Sequence, residues 1–322
     1  MDGDADDLLA WIAAESQRSV PASVLAVADA IRRRHERAAV AVLYYGSCLR
    51  RAGDPAEDEG CVLDFYVVVD RYRNAYRGAA AAIANTLLPP NVYYLELPWQ
   101  GRALRAKYAV IALAQFRRGT SRRSILPTLW SRFSQPVRLV HVRDAAARDA
   151  VLAALRDAMV TMVERIVPLL GGRFTTAELW IRGFRESYRT ELRAERPDRA
   201  RLLFEASRDR YERLTPAALT ASGFAWTQAA SDGRFVVPAA ESAPVRRRAG
   251  ALWAVRRAGG KLLNLLRLIK AVFTFDGGLD YVLWKIARHS GVRVTATPWQ
   301  RRHPLLSAPV LAWRLYRRGA FR

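Results

Sequence analysis

Tyr44-Tyr45-Gly46-Ser47 and, after a polar loop, Val62-Leu63-Asp64-Phe65-Tyr66-Val67-Val68-Val69-Asp70 decide how this chain reads. Each carries an apolar, β-branched or aromatic run of strand length, Ala39–Tyr45 and Val62–Val69, with Gly53-Asp54-Pro55 to Gly60 as the loop between them. A Gly-Ser pair closing one strand and a carboxylate inside the next suit phosphate and metal chemistry. Glycine lets backbone amides approach phosphate oxygens closely, and a serine hydroxyl donates to one of them. The carboxylate supplies the hard oxygen that Mg²⁺ prefers. The plain alternatives are a hydroxyl-capped turn at Gly46-Ser47 and an Asp64 paired to a base. Against them stands the cost of burying a carboxylate in an apolar strand without a purpose.

Strand side chains alternate, so Asp64, Tyr66, Val68 and Asp70 share one face. The common nucleotidyltransferase doublet places two carboxylates two residues apart, and here the second place is Tyr66. Asp70 lies about 20 Å further along the strand, too far to share an ion, and reads as a strand-end hydrogen-bonder. A second metal ligand must come from another strand, and Glu96 in Val92-Tyr93-Tyr94-Leu95-Glu96-Leu97 is the best placed.

Further out, the pattern predicts helices over Leu8–Glu15 and Ser23–Arg37, the second N-capped by Ser23. A helix follows over Arg73–Thr86, with strands over Asn91–Leu97, Lys107–Leu113 and Val137–Val142 and a short helix near Ile125–Arg132. From Asp144 the pattern turns helical: Ala145–Leu170, Thr176–Glu195, Pro197–Leu214, then a loop with a short hairpin over Ser222–Val237. Basic helices over Leu252–Phe273, with a possible break at Gly259-Gly260, and over Tyr281–Arg288 precede a last helix near Pro309–Arg318. The fold class is α+β: a mixed sheet of about five strands flanked by helices (1–144), a mostly helical domain (145–244) and a basic appendage (245–322).

The chain has 322 residues and a net charge of +22. Residues 245–322 hold seventeen Lys or Arg against Asp276 and Asp280, a net +15, which calls for a polyanionic surface. Lys261, Asn264, Arg267 and Lys270 recur at every third position, leaving Leu262, Leu265, Leu266, Ile269, Val272 and Phe273 on a broad apolar side. A basic amphipathic helix of this kind lies in a head-group plane, where Trp253, Trp284, Trp299 and Trp313 also suit. An ordinary core-packed helix with a solvated face is the alternative. Basic charge on apolar helices with Trp points to anionic lipid rather than nucleic acid, and no protein partner is evident. Cys48 and Cys61 cannot form a disulfide framework and no Cys/His cluster has zinc spacing, so a reducing, cytoplasm-like compartment is expected. The acidic start Met1-Asp2-Gly3-Asp4 is neither a secretory signal nor a transit peptide, and no run is long and apolar enough to span a membrane.

Seven stretches in order carry a resemblance. They are Tyr45-Gly46-Ser47; Leu63-Asp64-Phe65 to Val69-Asp70; Asn91-Val92-Tyr93-Tyr94; Lys107-Tyr108-Ala109-Val110-Ile111; Ser131-Arg132-Phe133-Ser134-Gln135-Pro136-Val137-Arg138; Ser187-Tyr188-Arg189-Thr190-Glu191-Leu192-Arg193; and Ile269-Lys270-Ala271-Val272-Phe273-Thr274. Together they resemble the soluble, mitochondrial-type phosphatidate cytidylyltransferases (CDP-diacylglycerol synthases), as a bacterial-like member. That family also lacks the second carboxylate of the doublet. The resemblance implies that CTP and phosphatidate give CDP-diacylglycerol and pyrophosphate with Mg²⁺, in a peripheral membrane enzyme of phospholipid synthesis on the cytoplasmic side. It implies that Gly46 and Ser47 hold the triphosphate, Asp64 the metal, and Lys107 and Arg132 the acceptor phosphate. Glu191 and Arg193 would reach the nucleotide from a winged-helix-like second domain. Two departures stand out: the family's longer segment with a His-Tyr-Ser motif is shortened to Ala79–Thr86, and its Lys before Pro-Val is Gln135. Outside the family, the same residues fit a nucleotidyltransferase with a different acceptor, or a non-catalytic basic protein that binds lipid or nucleic acid.

Overall fold

The structure is a computed structural model that describes residues 2–319, apart from 52, 59, 77, 193–197, 275–282, 284, 285, 288, 289 and 303. Helices α1 (Asp2–Ser16) and α2 (Ala22–His35) lead into strand β1 (Ala39–Tyr45). Strand β2 (Val62–Val69) follows, then α3 (Tyr72–Ala75), α4 (Ala79–Leu87), β3 (Asn91–Trp99) and β4 (Arg102–Ala112). Helices α5 (Leu113–Thr120) and α6 (Trp130–Phe133) precede β5 (Val137–Val142). The sheet runs β3-β4-β2-β1-β5, with β2 and β4 parallel and the other pairs antiparallel.

Period-2 alternation gives this sheet two apolar faces. Val42, Tyr44, Phe65, Val67 and Val110 pack under α2, while Leu43, Tyr66, Val68, Ala109 and Ile111 face the other helices. Ser23 does not cap α2; the helix starts one residue earlier, and the Ser23 hydroxyl donates to Asp54 Oδ1 across the loop. The helix expected over Arg73–Thr86 is broken into α3 and α4 by an extended Gly78.

Next comes α7 (Ala145–Leu170), whose first turn is capped by Asp144 accepting from the Ala147 amide at 2.7 Å. Strand β6 (Arg173–Phe174), α8 (Thr176–Tyr188), α9 (Arg199–Glu205), α10 (Arg208–Ala221), β7 (Thr227–Gln228) and β8 (Phe235–Val236) complete this part. The three short strands form one sheet in the order β6-β8-β7, a winged-helix-like arrangement. The long helices expected over 176–195 and 197–214 are shorter: α8 stops at Tyr188, and α9 and α10 are separate. The two parts share one core, in which Val68, Ile111 and Trp130 join Met159, Trp180 and Tyr211. A buried ion pair also ties them, Arg210 Nε on α10 donating to Glu15 Oε2 on α1 at 2.9 Å.

Helix α11 (Ala243–Thr274) runs unbroken through Gly259-Gly260. A Cβ on Gly260 would stand 2.6 Å from the Thr190 carbonyl, so the glycine lets α11 press on the end of α8. Trp253, expected at a membrane interface, is instead in the core with its indole donating to the Arg165 carbonyl at 3.0 Å. Arg257 pairs with buried Glu186 at 3.0 Å. The first half of α11 is therefore part of the body, not an appendage. Helices α12 (Pro298–Arg302) and α13 (Pro304–Arg317) follow, leaving Trp299 and Trp313 exposed. Trp284 lies outside the described residues. No described helix is long and apolar enough to cross a membrane.

Cys48 and Cys61 are joined by a disulfide, Cα atoms 6.2 Å apart. This corrects the expectation of reduced thiols, and with it the argument from cysteine usage for a reducing compartment. The turn after β1 folds back onto the start of β2, a proximity set by strand pairing that cysteine spacing does not reveal.

Candidate active site at the Gly46 corner

Strand register builds the site. Tyr45 on β1 stands opposite Asp64 on β2, and Asp64 is registered with Lys107 on β4. Paired residues point to the same side of a sheet, so the three form a row on the face that carries Tyr66. At the end of β1, Gly46 adopts φ +98°, a conformation that side chains disfavour. A Cβ there would lie 2.6 Å from Asp64 Oδ2. The carboxylate thus faces the glycine corner directly. Ser47 opens the short turn Cys48–Arg50; its side chain is exposed and makes no capping bond.

Over this corner sits Arg132 from α6. Its Nη1 donates to Tyr66 Oη at 3.1 Å, and Nη2 lies 4.0 Å from Glu191 Oε1 just beyond α8. The guanidinium also lies 5.7 Å from the Tyr45 ring centre and 5.9 Å from that of Tyr66. Burial opposes its charge, but the hydrogen bond to Tyr66 and the Glu191 carboxylate support it, and its pKa is raised. The Tyr45 phenol is pushed up by burial despite the nearby arginine, so it stays protonated. Lys107, Asp64, Ser47, Gly46, Arg132 and Glu191 are thereby grouped around one corner. Arg193 lies outside the described residues.

Glu96 is not brought in. It pairs across β3–β4 with Arg105, level with Val62 rather than Asp64, and its carboxylate sits 3.7 Å from the Arg105 guanidinium. Two strand spacings put it about 10 Å to the side of Asp64, out of reach of a shared ion. Asp70 accepts from the Arg71 amide at 2.6 Å and from Asn74 at 2.8 Å, the strand-end role expected of it.

Two site cations were not anticipated. Arg50, at the end of the turn that Ser47 opens, donates to Gln135 Oε1 at 3.4 Å, and burial pulls its pKa down while Asp64 is among the groups that support its charge. The spacing Gly-Ser-x-x-Arg was its only signal. The second, Arg267, comes from α11, as does Lys270, and both turn inward instead of toward the membrane surface that the sequence pattern predicts for them. Lys270 is buried and donates to the carbonyls of Leu88 and Pro90, the latter at 3.2 Å, which ties α11 to the start of β3. Arg267 is half-buried, with Arg132, Tyr66 and Glu191 within electrostatic reach. Lys261 remains exposed.

Among the described residues no group of three or more His, Cys, Asp or Glu is arranged to hold a metal ion. Mg²⁺ commonly takes one or two carboxylates and completes its octahedron with substrate phosphates and water. One carboxylate beside a glycine corner and several cations fits that mode, an ion delivered with a polyphosphate, and does not fit an all-protein cage. No family model matches the chain, and no curated protein matches it.

Proposed function

We propose that the chain is a phosphatidate cytidylyltransferase, related to the soluble family it resembles, working at an anionic membrane surface. The observation that carries this reading is the Asp64 carboxylate set against the Gly46 backbone, with Ser47 at the same corner. Mg²⁺ on Asp64 would neutralise the triphosphate. Gly46 and the Ser47 hydroxyl hold its oxygens, and Arg50 and Lys107 balance its charge. A phosphate oxygen of phosphatidate attacks the α-phosphorus of CTP in line; the bond to the β-phosphate oxygen breaks and pyrophosphate leaves. Such a transfer needs little from the protein beyond positioning and charge stabilisation. Glu191 fixes Arg132 over the corner from the winged-helix-like part.

Support for the membrane comes from the outer half of α11. Leu262, Leu265, Leu266 and Ile269 are exposed while Asn264, Arg267 and Lys270 turn inward. A helix in water buries its leucines; one lying on lipid does the opposite.

The test is to incubate labelled CTP, ATP, GTP and UTP separately with Mg²⁺ and phosphatidate, scoring a nucleotide-diphosphate lipid. Product is expected from CTP, falling by about 10³-fold or more in Asp64→Ala and less in Ser47→Ala. Unchanged activity in Asp64→Ala removes that carboxylate from the mechanism. Product absent with every nucleotide refutes the reading.

A further inference from the structure

Arg267 is an anomaly on the inward face of α11. Gly260 and Asn264 meet Thr190, the latter donating to its carbonyl at 3.4 Å, and Lys270 meets the start of β3. These contacts draw α11 from the end of α8 to the edge of the sheet, with Arg267 between them. Its Nε is buried and has no hydrogen-bond partner among the described residues. Its charged neighbours among the described residues are Glu191, Lys270 and a second guanidinium, Arg132, and Glu191 already faces Arg132. Among the described residues, two half-buried guanidinium groups sharing one carboxylate are short of negative charge, and a buried N–H without a partner costs stability. An anion between them would supply both needs.

We propose that Arg267 and Arg132 form a two-guanidinium seat for the phosphomonoester of the acceptor, with its hydrocarbon portion running out along the exposed leucines of α11. This rests on the transfer reading for its context but concerns a separate binding site. Guanidinium forks suit a phosphate with three terminal oxygens better than a diester with two, so the seat selects monoesters. The opposite flank of the same helix bears Leu262, Leu265 and Ile269. One helix thus couples the apolar surface to the reacting corner, and a headgroup lifted from the bilayer has a short path to Asp64.

The test uses the full chain and two vesicle compositions of equal charge, one containing phosphatidate and the other phosphatidylglycerol, without nucleotide. Wild type is expected to bind the monoester vesicles about tenfold more tightly, the worth of one charge-assisted fork. Arg267→Gln should reduce that preference to within about twofold, Arg267→Lys should fall between, and exposed Arg247→Gln should keep it. Melting temperature serves as the second readout: removing a cation that faces another cation should leave it unchanged or raised. Soluble glycerol 3-phosphate should compete with the monoester vesicles, showing that the headgroup and not the bilayer is read. The proposal is overturned if wild type shows no preference, if Arg267→Gln retains it, or if Arg267→Gln melts lower with its preference intact, which marks a structural arginine. Because no nucleotide is present, failure of the transfer assay leaves this result readable.

Discussion

At the sheet corner a single carboxylate, Asp64, is held against the backbone of Gly46, whereas along the outer half of α11 polar residues are drawn inward and leucines are left outside. In the first region sequence order and spatial order agree: adjacent strands and a tight turn bring together residues that are near neighbours in the chain. In the second, residues some 180 positions apart meet, as Lys270 does with the carbonyls of Leu88 and Pro90, and the helix shows its apolar side to the solvent. A short-range arrangement tolerates almost no change in shape, while the long-range one has a surface that can be altered without disturbing the body.

The sharpest way to break this contrast is Gly46→Ala. The backbone there is unfavourable for a side chain, and the new methyl must displace the Asp64 carboxylate. Misplacement of a catalytic group by about 1 Å costs on the order of 10²-fold, so turnover should fall by at least that much. The accompanying strain adds roughly 1–2 kcal/mol of destabilisation. Steady-state kinetics with a denaturant titration separate the two; an alanine variant with normal turnover would show that the corner is not where the reaction occurs.

On α11 the corresponding change is Leu262→Gln/Leu265→Gln/Leu266→Gln. Each side chain is exposed, so thermal stability should not move, but vesicle affinity should drop by tenfold or more as the apolar contact is lost. Flotation with anionic vesicles measures it. Point changes are needed because removing residues after 245 would also take Trp253 out of the core. Equal flotation of the triple variant would show that these leucines do not meet lipid.

The smallest effect sharpens the role of Lys270. Its pKa is pushed down to about 8 by burial and then by Arg267, from an ordinary 10.5. The folded state disfavours the proton that the unfolded chain still holds between those values. The cost is therefore fully present below pH 8 and fades as pH rises toward 10.5, so wild type gains stability relative to Lys270→Met across that window. Allowing for solvent screening, the gain is about 1–2 kcal/mol. Denaturant midpoints at pH 7.5 and 10.5 report it, and parallel behaviour of the two proteins would contradict the burial.

Much of the sheet was legible because strand signals are local. Ala39–Tyr45, Val62–Val69 and Val137–Val142 hold to the residue, since alternation and the bounding turns fix strand ends. Helix ends were less legible: the stop at Tyr188 and the division of α9 from α10 follow packing of Phe184, Phe204 and Tyr211. In the candidate site, Gly46, Ser47 and Asp64 could be read because one turn and one strand pair unite them. Glu96 failed because alternation gives the face of a strand but not its order in the sheet; with β4 between β3 and β2, its partner is Arg105.

By itself the chain determined the α+β pattern, the glycine–serine corner with its carboxylate, and a cation-rich helix with one apolar flank, since each depends on spacing over a few residues. Only the tertiary structure decided which flank of that helix turns inward, that Trp253 is core, that Cys48 meets Cys61, and that Arg267 comes within electrostatic reach of Arg132. The physical reason is that periodicity defines a helix's two sides, while the side that is buried depends on the surface it meets, and that surface is assembled from segments far away in the chain.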